Sequence, residues 1–363
     1  MNKIAAFPGK YIQGQGALKT LPKLIRMMGN KGLILASKTV KDKILPRFGS
    51  QEIADLAAIE LFGGECTADE LERLSKVISS TNTGVMIGMG GGKTIDTAKI
   101  SADRANIPVI IIPTIASTDA PCSGCAVTYT PAGVFDKVCY QRSNPSVVLV
   151  DMDIIADAPV RFLVSGMGDA LATWFEAYSC FKTQSMNECG GTSTLAGLNL
   201  ARLCLDILLE HGFQAKLDAG QKKVTPALEA VTEANILLSG IGFESVGLAA
   251  AHAIHNGLTV LDETHNYYHG EKVAFGVLAG LHFNTATPDQ MDEIYSFCEK
   301  IGLPTTLADI GIRDATLEKL MKVALKTSEE DSSIYHEASA VTPEKILKAM
   351  IAADDMGKAR RQV

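Results

Sequence analysis

Four of the seven histidines in this chain lie in one short stretch, residues 240–270. The stretch reads GIGFESVGLAAAHAIHNGLTVLDETHNYYHG and contains His252, His255, His265 and His269. Neutral imidazole is the commonest side-chain ligand for transition metals in proteins. The stretch therefore predicts a metal site. The alternative, for any one of the four, is an ordinary core or surface histidine.

The spacing groups these histidines into two pairs. His252 and His255 are three residues apart, and His265 and His269 are four apart, so either pair shares a helix face if one helix runs through both members. A catalytic metal with an open coordination position needs about three protein ligands, typically including a carboxylate or a third histidine. We therefore look elsewhere in the chain for at least one more ligand.

An acidic residue in an apolar stretch is a candidate for that ligand. Residues 164–176 read VSGMGDALATWFE, and we expect Asp169 to open an apolar helix after Ser165 and two glycines. From this stretch alone, Asp169 is best interpreted as a helix-start residue that the helix dipole stabilises. As a ligand beside two histidines, it would leave Zn²⁺ with a net charge of about +1 and an open position, suited to Lewis-acid action on a hydroxyl oxygen.

A glycine-rich turn supplies a second kind of chemistry. Residues 88–93 read GMGGGK, after a predicted strand and before a helix that we expect Thr94 and Ile95 to open. Glycines let the backbone approach a pyrophosphate, and a helix start offers free N–H groups. The pattern is neither G-x-G-x-x-G nor a P-loop, and a structural tight turn is the alternative. Asp96, expected in the first helical turn, either stabilises the helix start or faces the ribose or nicotinamide of a nucleotide.

Hydroxyl and acidic side chains follow the fourth predicted strand. Residues 114–122 read TIASTDAPC, which includes Thr114, Ser117, Thr118 and Asp119. Ligands of open α/β sheets bind outside the carboxyl ends of the strands, so we favour ligand contact here. A turn stabilised by hydrogen bonds from side chains to the backbone is the alternative.

The elements that must position these residues differ between the two parts of the chain. Up to about residue 160, buried-strand patterns alternate with helical spacing, which predicts a parallel sheet covered on both faces. The predicted strands are 32–37, 57–62, 84–88, 108–113 and 146–150, and the predicted helices are 40–48 and 68–79. Beyond residue 160 the pattern is helical, with predicted segments 169–181, 194–210, 222–238, 246–256 and 271–284.

This change predicts two domains: residues 1–159, nucleotide-binding and α/β, and residues 160–363, helical and metal-binding. A cleft between domains is the expected place for ligands.

Of the 363 residues, 47% are hydrophobic and 21% charged, and the net charge is −7. Without a basic cluster, an apolar run of about 20 residues or a signal peptide, we expect no nucleic-acid or membrane partner and a cytoplasmic protein. The eight scattered cysteines, including the isolated pair Cys122 and Cys125, are expected to be reduced thiols.

Several long motifs together resemble the glycerol dehydrogenases of the iron-containing alcohol dehydrogenase superfamily. They run nearly from end to end: PGKYIQG, FGGEC, GMGGGKTIDTAK, PTIASTDAPCS, GMGDALATWFEA, GIGFESVGLAAAHAIHNGLT and YYHGEKVAFG. The resemblance implies an amino-terminal Rossmann-like parallel-sheet domain and a carboxyl-terminal helical domain, the α/β plus all-α arrangement of dehydroquinate synthase-like proteins. It also implies NAD and a metal, Zn²⁺ or alternatively Fe²⁺.

The same resemblance implies roles for individual residues. The metal ligands would be Asp169, His252 and His269, which together with Asp119 would bind the substrate and form the catalytic set. The cofactor would contact a larger group of residues: Ser37, Gly90, Gly91, Gly92, Lys93, Asp96, Thr114, Thr118, Ser123, Cys125 and Tyr129. Ser37 stands where relatives often carry an aspartate for the adenosine ribose, so the choice between NAD and NADP stays open. Cys125 stands where relatives tend to carry an aliphatic residue.

The implied reaction is NAD-dependent oxidation of glycerol, or a similar vicinal diol, to dihydroxyacetone, in a homo-oligomer that is often an octamer. One alternative is an NAD-dependent lyase of the dehydroquinate synthase type, which would need lysines and arginines clustered beside the histidines. Another is a non-catalytic protein that binds a nucleotide or a metal. Only the first hypothesis, a dehydrogenase, requires a small polyol as the substrate.

Overall fold

The computed structural model describes residues 1–361, which divide into two compact units. The sheet unit comprises Ala6–Pro159 and Asp218–Glu229. The helical unit comprises Met1–Ala5, Val160–Leu217 and the described chain from Ala230 onward.

Parallel strands form the centre of the sheet unit. The strands found within residues 1–361 are β1 Tyr11–Gly14, β2 Gly32–Ala36, β3 Ala57–Leu61, β4 Val85–Gly90, β5 Val109–Pro113, β6 Cys125–Tyr129, β7 Phe135–Tyr140 and β8 Val147–Asp151. Six of them form one sheet in the order β1-β8-β5-β4-β2-β3, and all of its pairings are parallel. β6 and β7 form a separate antiparallel hairpin.

Helices accompany the sheet in the alternating order that the sequence predicts. They are α1 Leu21–Met28, α2 Leu45–Phe48, α3 Gln51–Leu56, α4 Ala68–Thr81, α5 Gly92–Ala105 and α6 Met152–Asp157, with a π-helical turn at Val40–Ile44 and 3₁₀ turns at Ala17–Thr20 and Ala120–Cys122. The strands β2, β4, β5 and β8 are buried at every position. Parallel strands covered on both faces read as continuous apolar runs, which is why these four were recognisable in the sequence.

From Val160 to Arg361 the chain forms helices and connecting turns. The helices are α7 Val160–Thr183, α8 Leu195–Gly220, α9 Pro226–Glu233, α10 Ser239–Val246, α11 Ala250–Leu258, α12 His269–Phe283, α13 Pro288–Ile301, α14 Leu317–Thr327 and α15 Pro343–Arg360. A π-helical turn lies at Ala234–Leu238, and 3₁₀ turns lie at Asp262–Thr264, Leu307–Ile310 and Ser333–His336. The predicted fold class, a parallel-sheet amino-terminal part followed by a helical part, is confirmed.

Three details differ from the sequence-based expectations. Asp169 does not open a helix, because α7 begins at Val160 and continues past it to Thr183. The segment predicted as one helix over 246–256 is broken: α10 ends at Val246, and Gly247 has a φ of 130°, which turns the chain before α11. Asp96 lies beyond the first turn of α5, which begins at Gly92.

Within residues 1–361, no single helix is both long enough and apolar enough to cross a bilayer. One pair of helical segments, Pro226–Val246 and Ala250–Leu258, passes the length and composition test together, but the two segments meet at an angle of 99°.

Candidate active site

Three helices of the helical unit bring Asp169, His252 and His269 together. One ligand-type atom from each residue lies within 4.8 Å of the other two. Oδ1 of Asp169 is 3.4 Å from Nε2 of His252 and 3.0 Å from Nε2 of His269. One carboxylate and two imidazoles suit a divalent transition metal such as Zn²⁺ or Fe²⁺ and leave room for a further ligand. The donor set therefore fits the metal that the sequence predicts.

Glycines allow these helices to approach closely at the cluster. A Cβ at Gly270 on α12 would lie 1.8 Å from the backbone oxygen of Ser165 on α7. A Cβ at Gly168 would lie 2.3 Å from the backbone oxygen of Gly270. Since Gly168 precedes Asp169 and Gly270 follows His269, the close approach of α7 and α12 occurs where the two candidate ligands meet.

Other side chains lie behind the two imidazole rings. Nδ1 of His252 is 2.6 Å from Oε2 of Glu176, a buried residue on α7. Nδ1 of His269 is 3.1 Å from Nε2 of His255, whose own Nδ1 is 3.0 Å from Oδ1 of Asn256. In both candidate ligands Nδ1 is thus occupied by a neighbour, and Nε2 faces Asp169.

Electrostatics favour an ionised Asp169. Burial by itself raises the pKa of this carboxyl group, but His269 and His252 outweigh burial and hold the pKa well below its usual range. Burial lowers the pKa of His252, whereas Glu176 and Asp169 raise it, and the net pKa is well above the ordinary value. Burial, followed by His269 and Lys272, lowers the pKa of His255. The carboxylate is therefore available as a ligand, and His255 is a neutral neighbour.

The four histidines of the 240–270 stretch separate into different environments. His252 and His255 share α11, as one predicted pairing requires. His265 and His269 do not share a helix, because His265 follows a 3₁₀ turn and His269 begins α12. The side chain of His265 is 56% exposed and lies outside the three-residue cluster.

In the sheet unit, the glycine-rich turn connects β4 to α5. Gly88–Gly90 belong to the end of the strand, and Gly92 begins the helix. A Cβ at Gly88 would lie 2.6 Å from the Cβ of Ala98, so glycine permits the close packing of strand and helix, whereas a Cβ at Gly92 would meet no atom within 4 Å. The helix start at Gly92 is thus open to a ligand, and Gly91 immediately precedes it.

Two charged side chains on α5 have partners that the sequence did not reveal. Lys93 pairs with Glu65 at 2.5 Å, and its Nζ lies 4.9 Å from the centre of the Tyr129 ring. Asp96 is buried, accepts a hydrogen bond from the amide of Val127 at 3.1 Å, and has a raised pKa because of burial. Asp96 therefore contacts the β6 strand rather than the amides of its own helix start.

Lys99 organises the segment that follows β5. Its buried Nζ donates hydrogen bonds to the backbone oxygens of Ala120, Ser123 and Cys125, and lies 3.4 Å from Oδ1 of Asp96. Lys99 belongs to the GMGGGKTIDTAK motif, but no role for it was predicted from the sequence. Its spacing of three residues from Asp96 on a helix was the available signal.

The remaining predicted cofactor residues lie in the segments that follow β2 and β5 or in strand β6. The amide of Thr114 donates to the oxygen of Gly90 at 3.1 Å, and Thr118 Oγ1 accepts from the amide of Ala120 at 3.2 Å. Asp119 is buried and precedes the 3₁₀ turn at Ala120–Cys122. The other four residues have these positions: Ser37 follows β2 and accepts from the amide of Val40, Ser123 is buried, and Cys125 and Tyr129 begin and end β6.

The chain is similar to known proteins over nearly its whole length. Residues 8–152 match the model of the family described as "Iron-containing alcohol dehydrogenase". The chain is 50% identical to a glycerol dehydrogenase of Thermotoga maritima over 358 residues, which are 98% of each protein. Among solved structures, it superposes with a TM-score of 0.93 on a glycerol dehydrogenase of Schizosaccharomyces pombe, at 37% identity, covering 99% of this chain and 92% of that one. A probable glycerol dehydrogenase of Sinorhizobium meliloti gives the same TM-score at 42% identity, covering 99% and 100%.

Proposed function

The chain belongs to the iron-containing alcohol dehydrogenase family, and we propose that it catalyses the NAD-dependent oxidation of glycerol, or a similar vicinal diol, to dihydroxyacetone. The observation that supports this most directly is the convergence of Asp169, His252 and His269. Identity of 50% to a full-length glycerol dehydrogenase supports the choice of substrate. A further relative, 39% identical, is named glycolaldehyde reductase, which also acts on a small hydroxylated compound.

In this proposal, Asp169, His252 and His269 hold a zinc ion, with Fe²⁺ as the alternative metal. A bound divalent cation supplies Lewis acidity, which lowers the pKa of a substrate hydroxyl group. The protein contributes an ionised carboxylate and two imidazoles oriented by Glu176 and His255. These residues bind the metal and thereby position the polyol.

The sheet unit would hold NAD, which when bound would supply the hydride acceptor. Gly90, Gly91, Gly92 and Lys93 contact the pyrophosphate at the open start of α5. Asp96 lies near the pyrophosphate, and Ser37 occupies the position that faces the adenosine ribose. The nicotinamide half is lined by Thr114, Thr118, Ser123, Cys125 and Tyr129. Burial raises the pKa of Tyr129 to about 12. Asp119 hydrogen-bonds the polyol and orients it without removing its proton.

The broader organisation of the protein is part of the same proposal. Residues 1–159 form the nucleotide-binding domain and residues 160–363 the metal-binding domain. The active protein is a cytoplasmic homo-oligomer, an octamer by resemblance. Size-exclusion chromatography with light scattering measures the number of subunits. Parallel assays with NAD and NADP determine which nucleotide the protein uses, since position 37 is a serine and not an acidic residue.

The test compares two histidine variants from the same stretch. Purified protein is supplied with glycerol, NAD and Zn²⁺, and NADH formation and retained zinc are measured. We expect His252→Ala to lose both, to the background level, because it removes one of three ligands. His265→Ala is the matched control, since that ring lies outside the cluster, and should retain both. Normal turnover by His252→Ala without metal would refute the proposal.

A further inference from the structure

A buried carboxylate contacts both the ring and the backbone of one candidate ligand. Glu176 lies on α7, beyond Asp169, and only 1% of its surface is exposed. Its Oε2 is 2.6 Å from Nδ1 of His252. Its Oε1 accepts hydrogen bonds from the amides of Ala249 at 2.8 Å and His252 at 2.9 Å. Glu176 therefore joins α7 to the start of α11.

The contacts of Glu176 determine which nitrogen of the His252 ring is available to coordinate a metal. Oε1 of Glu176 accepts from two amides and Oε2 lies against the ring, so Glu176 serves as the acceptor and Nδ1 of His252 as the donor. In a neutral imidazole, a hydrogen on Nδ1 leaves the lone pair on Nε2, the atom that faces Asp169 at 3.4 Å. The amide contacts fix the first turn of α11 and hence the distance of the ring from the cluster.

We infer that Glu176 is a positioning residue. It fixes the backbone of His252 and keeps the ring hydrogen on Nδ1, so that the lone pair of Nε2 faces the metal. This inference rests on the proposed metal site. Side chains that hold the second nitrogen of a ligating histidine fix its tautomer and orientation, and their loss typically weakens metal binding about 10–100-fold. Nδ1 of His269 faces the imidazole of His255 instead of a carboxyl group, so Glu176 is the acidic group in contact with Nδ1 of a candidate ligand.

A second buried carboxylate provides a matched control. Oε1 of Glu337 accepts from the amide of Ala250 at 3.1 Å, at the start of the same helix. Its Oε2 accepts from Ser179 Oγ at 2.6 Å and from Asn284 Nδ2 at 2.9 Å. Glu337 thus caps α11 as Glu176 does, but its hydrogen bonds go to groups other than the His252 ring.

The experiment compares Glu176→Gln with Glu337→Gln in the full-length protein. The probe is Zn²⁺, the readout is its dissociation constant measured by competition with a chromogenic chelator, and thermal unfolding of the metal-free proteins reports on folding. Glutamine retains an acceptor for the amides, but its NH₂ group donates to Nδ1 and moves the ring hydrogen to Nε2, which blocks coordination. We expect Glu176→Gln to bind Zn²⁺ about 10–100-fold more weakly and Glu337→Gln to bind it like the wild type.

Unchanged zinc affinity in Glu176→Gln, or an equal loss in Glu337→Gln, would overturn the inference while leaving the proposed function standing. A wild-type protein that binds no zinc would instead overturn the proposed function. If Glu176→Gln does not fold, Glu176→Asp replaces it, because the shorter side chain keeps the charge but cannot span the ring and the two amides. Weaker zinc binding by Glu176→Asp supports the inference, and wild-type binding overturns it.

Discussion

The metal cluster and the glycine-rich turn are built in opposite ways. Gly88–Lys93 is one continuous strand–turn–helix segment, so its local sequence determines its geometry. Asp169, His252 and His269 come from three different helices, and their geometry depends on how those helices pack. A site formed by one continuous segment can therefore be recognised from a sequence motif. A site formed by packed helices also depends on residues outside any motif, which hold the helices in place.

The largest effect on activity is expected from disturbing the packing at the metal cluster. In Gly270→Ala the new Cβ would lie 1.8 Å from the Ser165 oxygen, so α12 must move away from α7 and carry His269 with it. A displacement of about 1 Å at a catalytic group costs on the order of a hundredfold in rate, which we expect in the glycerol assay. Gly280→Ala on the same helix is the control, because its Cβ would lie an ordinary 3.4 Å from that of Ala250. Equal activity in the two variants would contradict this role of the glycine.

The next effect, on stability, is expected in the sheet unit from Lys99→Met. Nζ of Lys99 bonds to three backbone oxygens of the segment after β5 and lies beside buried Asp96. Removing one partner of a buried pair typically costs about 3–5 kcal/mol, and we expect that loss in the free energy of unfolding, measured in urea. The variant Asp96→Asn/Lys99→Met should recover part of it, since no buried acid is left without its cation. No recovery would show that the two side chains act independently.

Features determined by local sequence were predicted better than features determined by the packing of distant segments. The buried strands β2, β4, β5 and β8 were recognisable as apolar runs, and the family resemblance is confirmed. β1 was missed because its four half-buried residues, YIQG, form no apolar run. The sequence window identified the histidines, but their choice as ligands came from resemblance. Glu176 and Lys99 were given no role because their function depends on contacts with distant backbone atoms.

The smallest effect is a pH dependence of stability at Glu70, a buried carboxyl group on α4 of the sheet unit. Burial raises the pKa of Glu70, but Arg73 and the amide of Gly63 outweigh it and bring the pKa below 4.5. A carboxyl group whose pKa is lower in the folded state adds stability above its unfolded-state pKa and loses it as the pH falls through the folded-state pKa. We expect Glu70→Gln to destabilise the protein by about 2 kcal/mol at neutral pH, measured by urea unfolding, without loss of activity.

That difference should shrink as the pH is lowered below about 4.5, where the wild-type carboxyl becomes protonated. The exposed Glu72, on the same helix, gives the control variant Glu72→Gln, which should resemble the wild type throughout. A difference between Glu70→Gln and the wild type that stays constant down to pH 3 would assign the effect to packing instead of charge.

The central claim is that one cation is held jointly by Asp169, His252 and His269. Anomalous X-ray diffraction from zinc-loaded crystals, measured on both sides of the zinc absorption edge, tests it directly. We predict a zinc peak about 2.0–2.2 Å from a carboxylate oxygen of Asp169 and from Nε2 of both histidines. A peak elsewhere in the molecule, with these three side chains free of zinc, would contradict the account.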